Sequence, residues 1–225
     1  MYKNYILIAL FAFILAGCIS SKKPIYDYTK PKIDTEKQVK IEPKPDSGNT
    51  QVILSAIDIL HSKCEFGDSN ACNDLGATYE QIGEYENAMK FYTRACDNSI
   101  EIGCANMGMM YEKGLGVSKN PAKALDIYKT SCNNGGALGC YNLATAYRKG
   151  EIVAQDYAIA HSAYTSACEK EDVPSCANIG SMYELGHGVQ KDEVKAYNIY
   201  KVACFRGFNK ACPHMKRLGD KLNIK

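Results

Sequence analysis

Ten of the eleven cysteines in this 225-residue chain form five pairs with one spacing: Cys64/Cys72, Cys96/Cys104, Cys132/Cys140, Cys168/Cys176 and Cys204/Cys212. Each pair reads C-x7-C, and successive pairs recur after 32, 36, 36 and 36 residues. A fixed period of this length marks a tandem array whose units bury their apolar faces only against their neighbours. Paired thiols at constant spacing read as disulfides, and disulfides imply an oxidising compartment. The same spacing lacks the close ligand pairs of a zinc site, so no metal and no cofactor is expected.

Three units align without gaps, at 97–132, 133–168 and 169–204. The first half of each carries Cys-x2-apolar-small-x2-Tyr, as in Cys104, Met107, Gly108 and Tyr111 or Cys176, Ile179, Gly180 and Tyr183. That spacing describes one face of a helix. Gly114, Gly150 and Gly186 follow where a helix C-cap is expected. Asn120, Asp156 and Asp192 then stand as N-caps of a second helix, with Pro121 in its first turn. That helix carries Ala124/Tyr128, Ala160/Tyr164 and Ala196/Tyr200, so small residues face large tyrosines across each pair.

The unit at 65–96 is four residues shorter, and its Leu75-Gly76-x2-Tyr79, Ala88, Tyr92 and Ala95 follow tetratricopeptide spacing. The longer units insert four residues between their helices, Gly-Leu-Gly-Val at 114–117 and Gly-His-Gly-Val at 186–189. By these residues the chain resembles the Sel1-like, tetratricopeptide-like repeat family over roughly residues 51–217. With five stapled repeats, it is similar within that family to the Helicobacter cysteine-rich proteins. The resemblance implies an all-α fold, a right-handed superhelical solenoid of antiparallel helix pairs stapled by disulfides, with a concave inner face. The expected layout is a partial pair at 51–64, units 65–96, 97–132, 133–168 and 169–204, and a C-terminal cap at 205–225.

The eleventh cysteine stands in a different setting. Lys3 is followed by an apolar run from Tyr5 to Ile14 and then Leu15-Ala16-Gly17-Cys18. The run is too short to span a bilayer as a helix and suits a signal peptide. Its ending resembles the lipobox of bacterial lipoproteins, which implies a signal at 1–17, lipidation of Cys18 and residence in the envelope, at the outer membrane or in the periplasm, with release as the alternative. Residues 18–50, with Pro24, Pro31, Pro43 and Pro45, seven lysines and five acids, read as a disordered tether with a reach of roughly 30 Å. Contact with the membrane is expected through the lipid anchor only. Residues 51–225 are nearly neutral, with 19 basic and 20 acidic side chains, so no nucleic-acid partner is expected.

Catalytic motifs are sparse and no catalytic residue is identified. The family resemblance implies an association with penicillin binding and β-lactamase activity, yet the serine–lysine motif of such enzymes occurs only as Ser20-x-x-Lys23. His61, His161, His187 and His214 lack metal-site spacing and read as surface or cap residues. The expected site is instead the concave face of the first helices. Asn106, Asn142 and Asn178 recur two residues after the cysteine, about 150° from the buried stripe. Met110, Met182, Lys113 and Lys149 lie on the same face. Asparagine amides donate to and accept from a peptide backbone, lysines meet a carboxylate, and methionine offers adaptable apolar contact. The leading expectation is therefore a non-catalytic groove for an extended peptide, a protein or a peptidoglycan stem peptide. Weak β-lactam hydrolysis and a structural envelope scaffold are the competing readings.

Overall fold

The structure, a computed structural model, describes residues 47–224. The expected signal segment, Cys18 and the tether up to residue 46 lie outside the described residues. Within them the regular elements are helices, and they alternate in direction along the array. They are α1 (Ser47–Glu65), α2 (Ser69–Gln81), α3 (Tyr85–Asp97), α4 (Glu101–Lys113), α5 (Pro121–Asn133), α6 (Ala137–Lys149), α7 (Tyr157–Glu169), α8 (Val173–Leu185), α9 (Glu193–Phe205) and α10 (Cys212–Lys221), the last preceded by a short 3-10 turn. The first of them begins four residues before the expected domain boundary.

The helices start and stop where the sequence places the signals. Asn120 Oδ1 accepts from the Lys123 N–H at 3.0 Å, and Asp192 Oδ1 from the Lys195 N–H at 2.8 Å. Asp156 caps α7 through the Ala158 and Ile159 N–H groups. Gly114, Gly150 and Gly186 end α4, α6 and α8 in the left-handed region, with φ of 75°, 72° and 75°. Glycine adopts that conformation without the Cβ clash other residues suffer.

Packing follows the small-against-large pattern. A Cβ on Gly76 would sit 2.6 Å from the Tyr92 ring, and Gly108 meets Tyr128 in the same way. The close approach buries Tyr92, Tyr128 and Tyr164 almost completely.

Each joint between units carries one staple, and all five have the expected partners. The S–S distances are 2.01 Å for Cys64–Cys72, 2.11 Å for Cys96–Cys104, 2.00 Å for Cys132–Cys140, 2.02 Å for Cys168–Cys176 and 2.01 Å for Cys204–Cys212. Each bond joins the end of one helix to the start of the next across a sequence separation of eight. Burial of the second cysteine is less uniform than the one-face spacing suggests. Cys72 and Cys140 are fully buried, whereas Cys104 and Cys176 are only half-buried. Cys72 packs in a core cluster with Phe91, while Cys176 lies outside the core clusters, its Sγ 3.8 Å from the Cys168 carbonyl oxygen. The covalent loop, not burial, holds Cys176 in place, so a position on the apolar stripe does not require a closed environment.

First helices bury two faces rather than one. The first rests on its own partner helix, and the second stacks on the preceding unit. Met110 reaches back to Ala88, Met89 and Tyr92, and Met182 to Ala160, Ala163 and Tyr164. The most extensive contacts run between sequence neighbours, with α4 also touching α6. This is a solenoid, in which every core cluster is shared by adjacent units.

Candidate functional site

Where α4 and α6 meet, successive first helices leave a seam. Met109, Glu112 and Lys113 from α4 and Asn142, Thr145 and Lys149 from α6 line a pocket of about 110 Å³, with Tyr128 at its back. The helix ends set its rim, because Lys113 and Lys149 are the last residues before the left-handed glycines. Lys149 Nζ also lies 3.5 Å from Glu151 Oε2, an exposed pair of small energetic weight.

The polar groups of the seam belong to a row that runs along the array. Tyr128 Oη donates to Glu112 Oε2 at 2.8 Å, Tyr92 to Glu80 at 2.6 Å and Tyr200 to Glu184 at 3.2 Å. Burial, reinforced by the Glu112 charge and hydrogen bond, pushes the Tyr128 phenol far above its ordinary range. Burial is also the largest cause at Tyr200, which is pushed up to about 12. Such phenols keep their protons at neutral pH and act as donors, not as general bases. One unit inverts the pattern. Arg148 stands where the other units carry glutamate, its Nε donates to Tyr164 Oη at 3.2 Å, and Thr145 Oγ1 lies 3.0 Å from the same hydroxyl. Asn142 Nδ2 is buried beside this inversion with no hydrogen-bond partner among the described residues. A buried amide in that condition favours any ligand that presents an acceptor.

The expected site residues divide between the seam and the interior. Asn142, Lys113 and Lys149 come together around the pocket. Asn106, expected on an open face, is only 3% exposed and donates from Nδ2 to Asn73 Oδ1 at 3.1 Å, bridging α4 to α2. Met110 and Met182, expected to contact a ligand, are 1% and 2% exposed and fill the core. The reason is the second buried face of the first helices, which a single-stripe periodicity does not describe. Asn178 is half-buried on α8 and does not line the pocket, and neither does Cys176, two residues before it. An asparagine ladder reading successive ligand residues is therefore interrupted at Asn106. The tyrosine–glutamate row was missed, although Glu80, Glu112, Arg148 and Glu184 each follow the repeat tyrosine directly.

Other chemistry is scattered. His187 stacks on Tyr157 with centroids 4.4 Å apart, and His214 on Tyr200 at 5.0 Å. Among the described residues no three His, Cys, Asp or Glu side chains gather closely enough to hold a metal ion. Nor is any described helix long and apolar enough to cross a membrane.

The Sel1 repeat model matches residues 69–99, 102–136, 137–172 and 173–207, more than half of the chain. The chain belongs to the Sel1 repeat family. The chain is similar to a Helicobacter pylori protein named "Putative beta-lactamase HcpD", at 44% identity over 41 residues. That match covers 18% of this chain and 13% of the relative, so only a small part of the relative's length is spanned. A second relative, cytochrome c oxidase assembly factor 7A of Xenopus laevis, is 34% identical over 76 residues, 32% of this chain and 33% of that one. Among solved structures, a Sel1 repeat protein of Oxalobacter formigenes superimposes with a TM-score of 0.61 at 24% identity, covering 72% of this chain and 48% of its own. The c5321 protective antigen of uropathogenic Escherichia coli follows at 0.55 and 23%, covering 71% and 43%. At these identities the two structures establish the Sel1 fold and nothing further.

Proposed function

We propose that this Sel1 array is an exported, non-catalytic binding scaffold that takes an extended peptide or protein segment along the α4–α6 seam. The observation that carries this reading is the size and lining of the pocket. At about 110 Å³ it is well below the 300–1,000 Å³ of sites that enclose a small molecule. It suits one side chain of a longer ligand whose backbone lies outside. Asn142 Nδ2 would then donate to a ligand carbonyl, and Lys113 and Lys149 would meet a carboxylate such as a chain terminus or a stem-peptide acid. Export is supported by the five disulfides, which persist in oxidising compartments. Cleavage after residue 17, lipidation of Cys18 and a tether leading into the repeats complete the proposal.

A β-lactam hydrolase is the alternative carried by the name of the H. pylori relative. Its serine–lysine motif, Ser20-x-x-Lys23, lies outside the described residues. One experiment separates the readings. The oxidised protein is challenged with an immobilised library of carboxyl-terminal peptides and, in parallel, with penicillin and a cephalosporin. Capture of a peptide subset, weakened at least tenfold by Asn142→Leu or by Lys113→Glu with Lys149→Glu, is the expected result. Saturable turnover that persists in those variants, without selective peptide capture, would falsify the scaffold reading.

A further inference from the structure

The array contains its own control for what an outward-facing position ordinarily carries. On the outer face of α5 the residues are Ala122, Asp126, Thr130 and Asn133, and thirty-six residues later on α7 they are Ala158, Ser162, Ser166 and Glu169. The same four positions on α9 hold Val194, Asn198, Val202 and Phe205. Val194, Val202 and Phe205 are 53%, 57% and 74% exposed. At 100° per residue they share an arc of about 100° with the exposed Asn198 and Lys201. Beside them Tyr197 opens into a hollow of about 650 Å³ that Met215 and Ile224 also line. Clustered apolar exposure of this kind marks a contact surface, whereas single exposed residues need no explanation.

Charge separates the same region from the rest. Residues 190–225 hold nine Lys and Arg against three Asp and Glu, while residues 51–189 hold ten against seventeen. The near-neutral total therefore conceals a basic end. Its one acid on α9, Glu193, is taken by Lys191 at 2.9 Å and Lys221 at 2.6 Å, and those two lysines hold its carboxyl down at about 2. Lys201 lies on the arc, Arg206 directly follows Phe205, and Lys210 stands in the turn just after α9, all exposed, with Arg206 3.9 Å from the more open Glu171.

We propose that the outer face of α9 docks the repeat domain on an anionic lipid bilayer. Phe205, Val202 and Val194 enter the interfacial layer, and Lys201, Arg206 and Lys210 meet the lipid phosphates. The face is the outer side of a helix and not a groove, so it suits a flat and yielding surface better than an inserted peptide. Two copies of this face would repel each other, which disfavours pairing through it. Apolar insertion and basic attraction add in such a surface. The proposal is independent of the seam between α4 and α6.

The test uses the full-length oxidised chain and the double variant Val202→Ser with Phe205→Glu, which installs the residues of the preceding unit at exposed positions. Both proteins keep residues 1–46, so any vesicle binding by the apolar leader cancels. Co-sedimentation is measured with phosphatidylcholine vesicles and with equimolar phosphatidylcholine and phosphatidylglycerol. On the anionic vesicles the parent chain should partition at least tenfold better than the variant. That advantage should shrink in high salt and vanish on phosphatidylcholine. The chain contains no tryptophan, so Phe205→Trp places a single indole in the arc, and its emission should shift to the blue with anionic vesicles. Equal partition of parent and variant overturns the proposal, as does an indole unmoved by vesicles. A variant defect seen equally with heparin, without the emission shift, also overturns it and reassigns the face to a soluble acidic partner.

Discussion

Every joint between units turns through a residue three positions after the first cysteine of a pair. In three joints it is Gly67, Gly135 or Gly207, with φ of 95°, 93° and 89°. In the other two it is Ser99, at φ 63°, and Glu171, at φ 68°. An L-residue in that region carries a penalty of roughly 1 kcal/mol that glycine avoids. Ser99→Gly should therefore raise unfolding free energy by about 1 kcal/mol in urea titration, and an unchanged or lowered midpoint would refute it. His161 makes a second prediction at this scale. Sequence reading expects a surface or cap residue, but its Nε2 is buried without a hydrogen-bond partner among the described residues. Burial first, and then Lys195, hold its imidazole below the ordinary 6.5. The unfolded chain thus binds the proton more readily, and the neutral imidazole's contribution is complete above pH 6.5 and lost as the pH falls below it. Between pH 7.5 and 5.5 the parent should lose more of its urea midpoint than His161→Gln, and parallel pH profiles would exclude the effect.

At the scale of elements, helix pairs are set by the contact of a small residue with a tyrosine. Gly108→Ala should cost about 1–3 kcal/mol, because the added methyl meets the Tyr128 ring and the neighbouring helices leave little room to relax. Thermal unfolding of that variant against the parent checks it. This level was the most legible in sequence, since caps, left-handed glycines and the Gly–Tyr alternation are local signals that each state their own backbone requirement. The groove was legible only in part. Lys113, Asn142 and Lys149 do gather, but Asn106 and Met110 belong to the face that stacks on the preceding unit. A helix read alone shows its apolar stripe, whereas the solenoid gives each first helix a second neighbour whose contacts include an asparagine pair, Asn73 with Asn106. Polar residues buried by pairing look, in sequence, the same as polar residues left in solvent. The tyrosine–glutamate row escaped for a related reason, because its hydrogen bonds join residues 12 or 16 positions apart on different helices.

For the molecule as a whole, stability is shared between neighbouring units, so the position of a lesion matters as much as its size. Each staple closes a loop of about nine residues, which contributes about 2.5 kcal/mol in the chain-entropy description. Replacing Cys132 and Cys140 by serine weakens the joint between α5 and α6 at the middle of the array. Far-UV circular dichroism in urea should then show a broader transition of lower slope, as the two halves unfold less cooperatively. Replacing Cys64 and Cys72 should instead fray the α1 end and leave the main transition sharp. Identical curves for the two variants would mean that the staples do not govern coupling along the array. The shortness of these staples has a further consequence, for ancestry. Because each sulfur finds its partner within the same joint, a duplicated or deleted 36-residue segment carries a complete pair with it. The array can lengthen or shorten by whole units without stranding a thiol or reassigning a bond, so the number of repeats is free to drift while the covalent pattern stays intact.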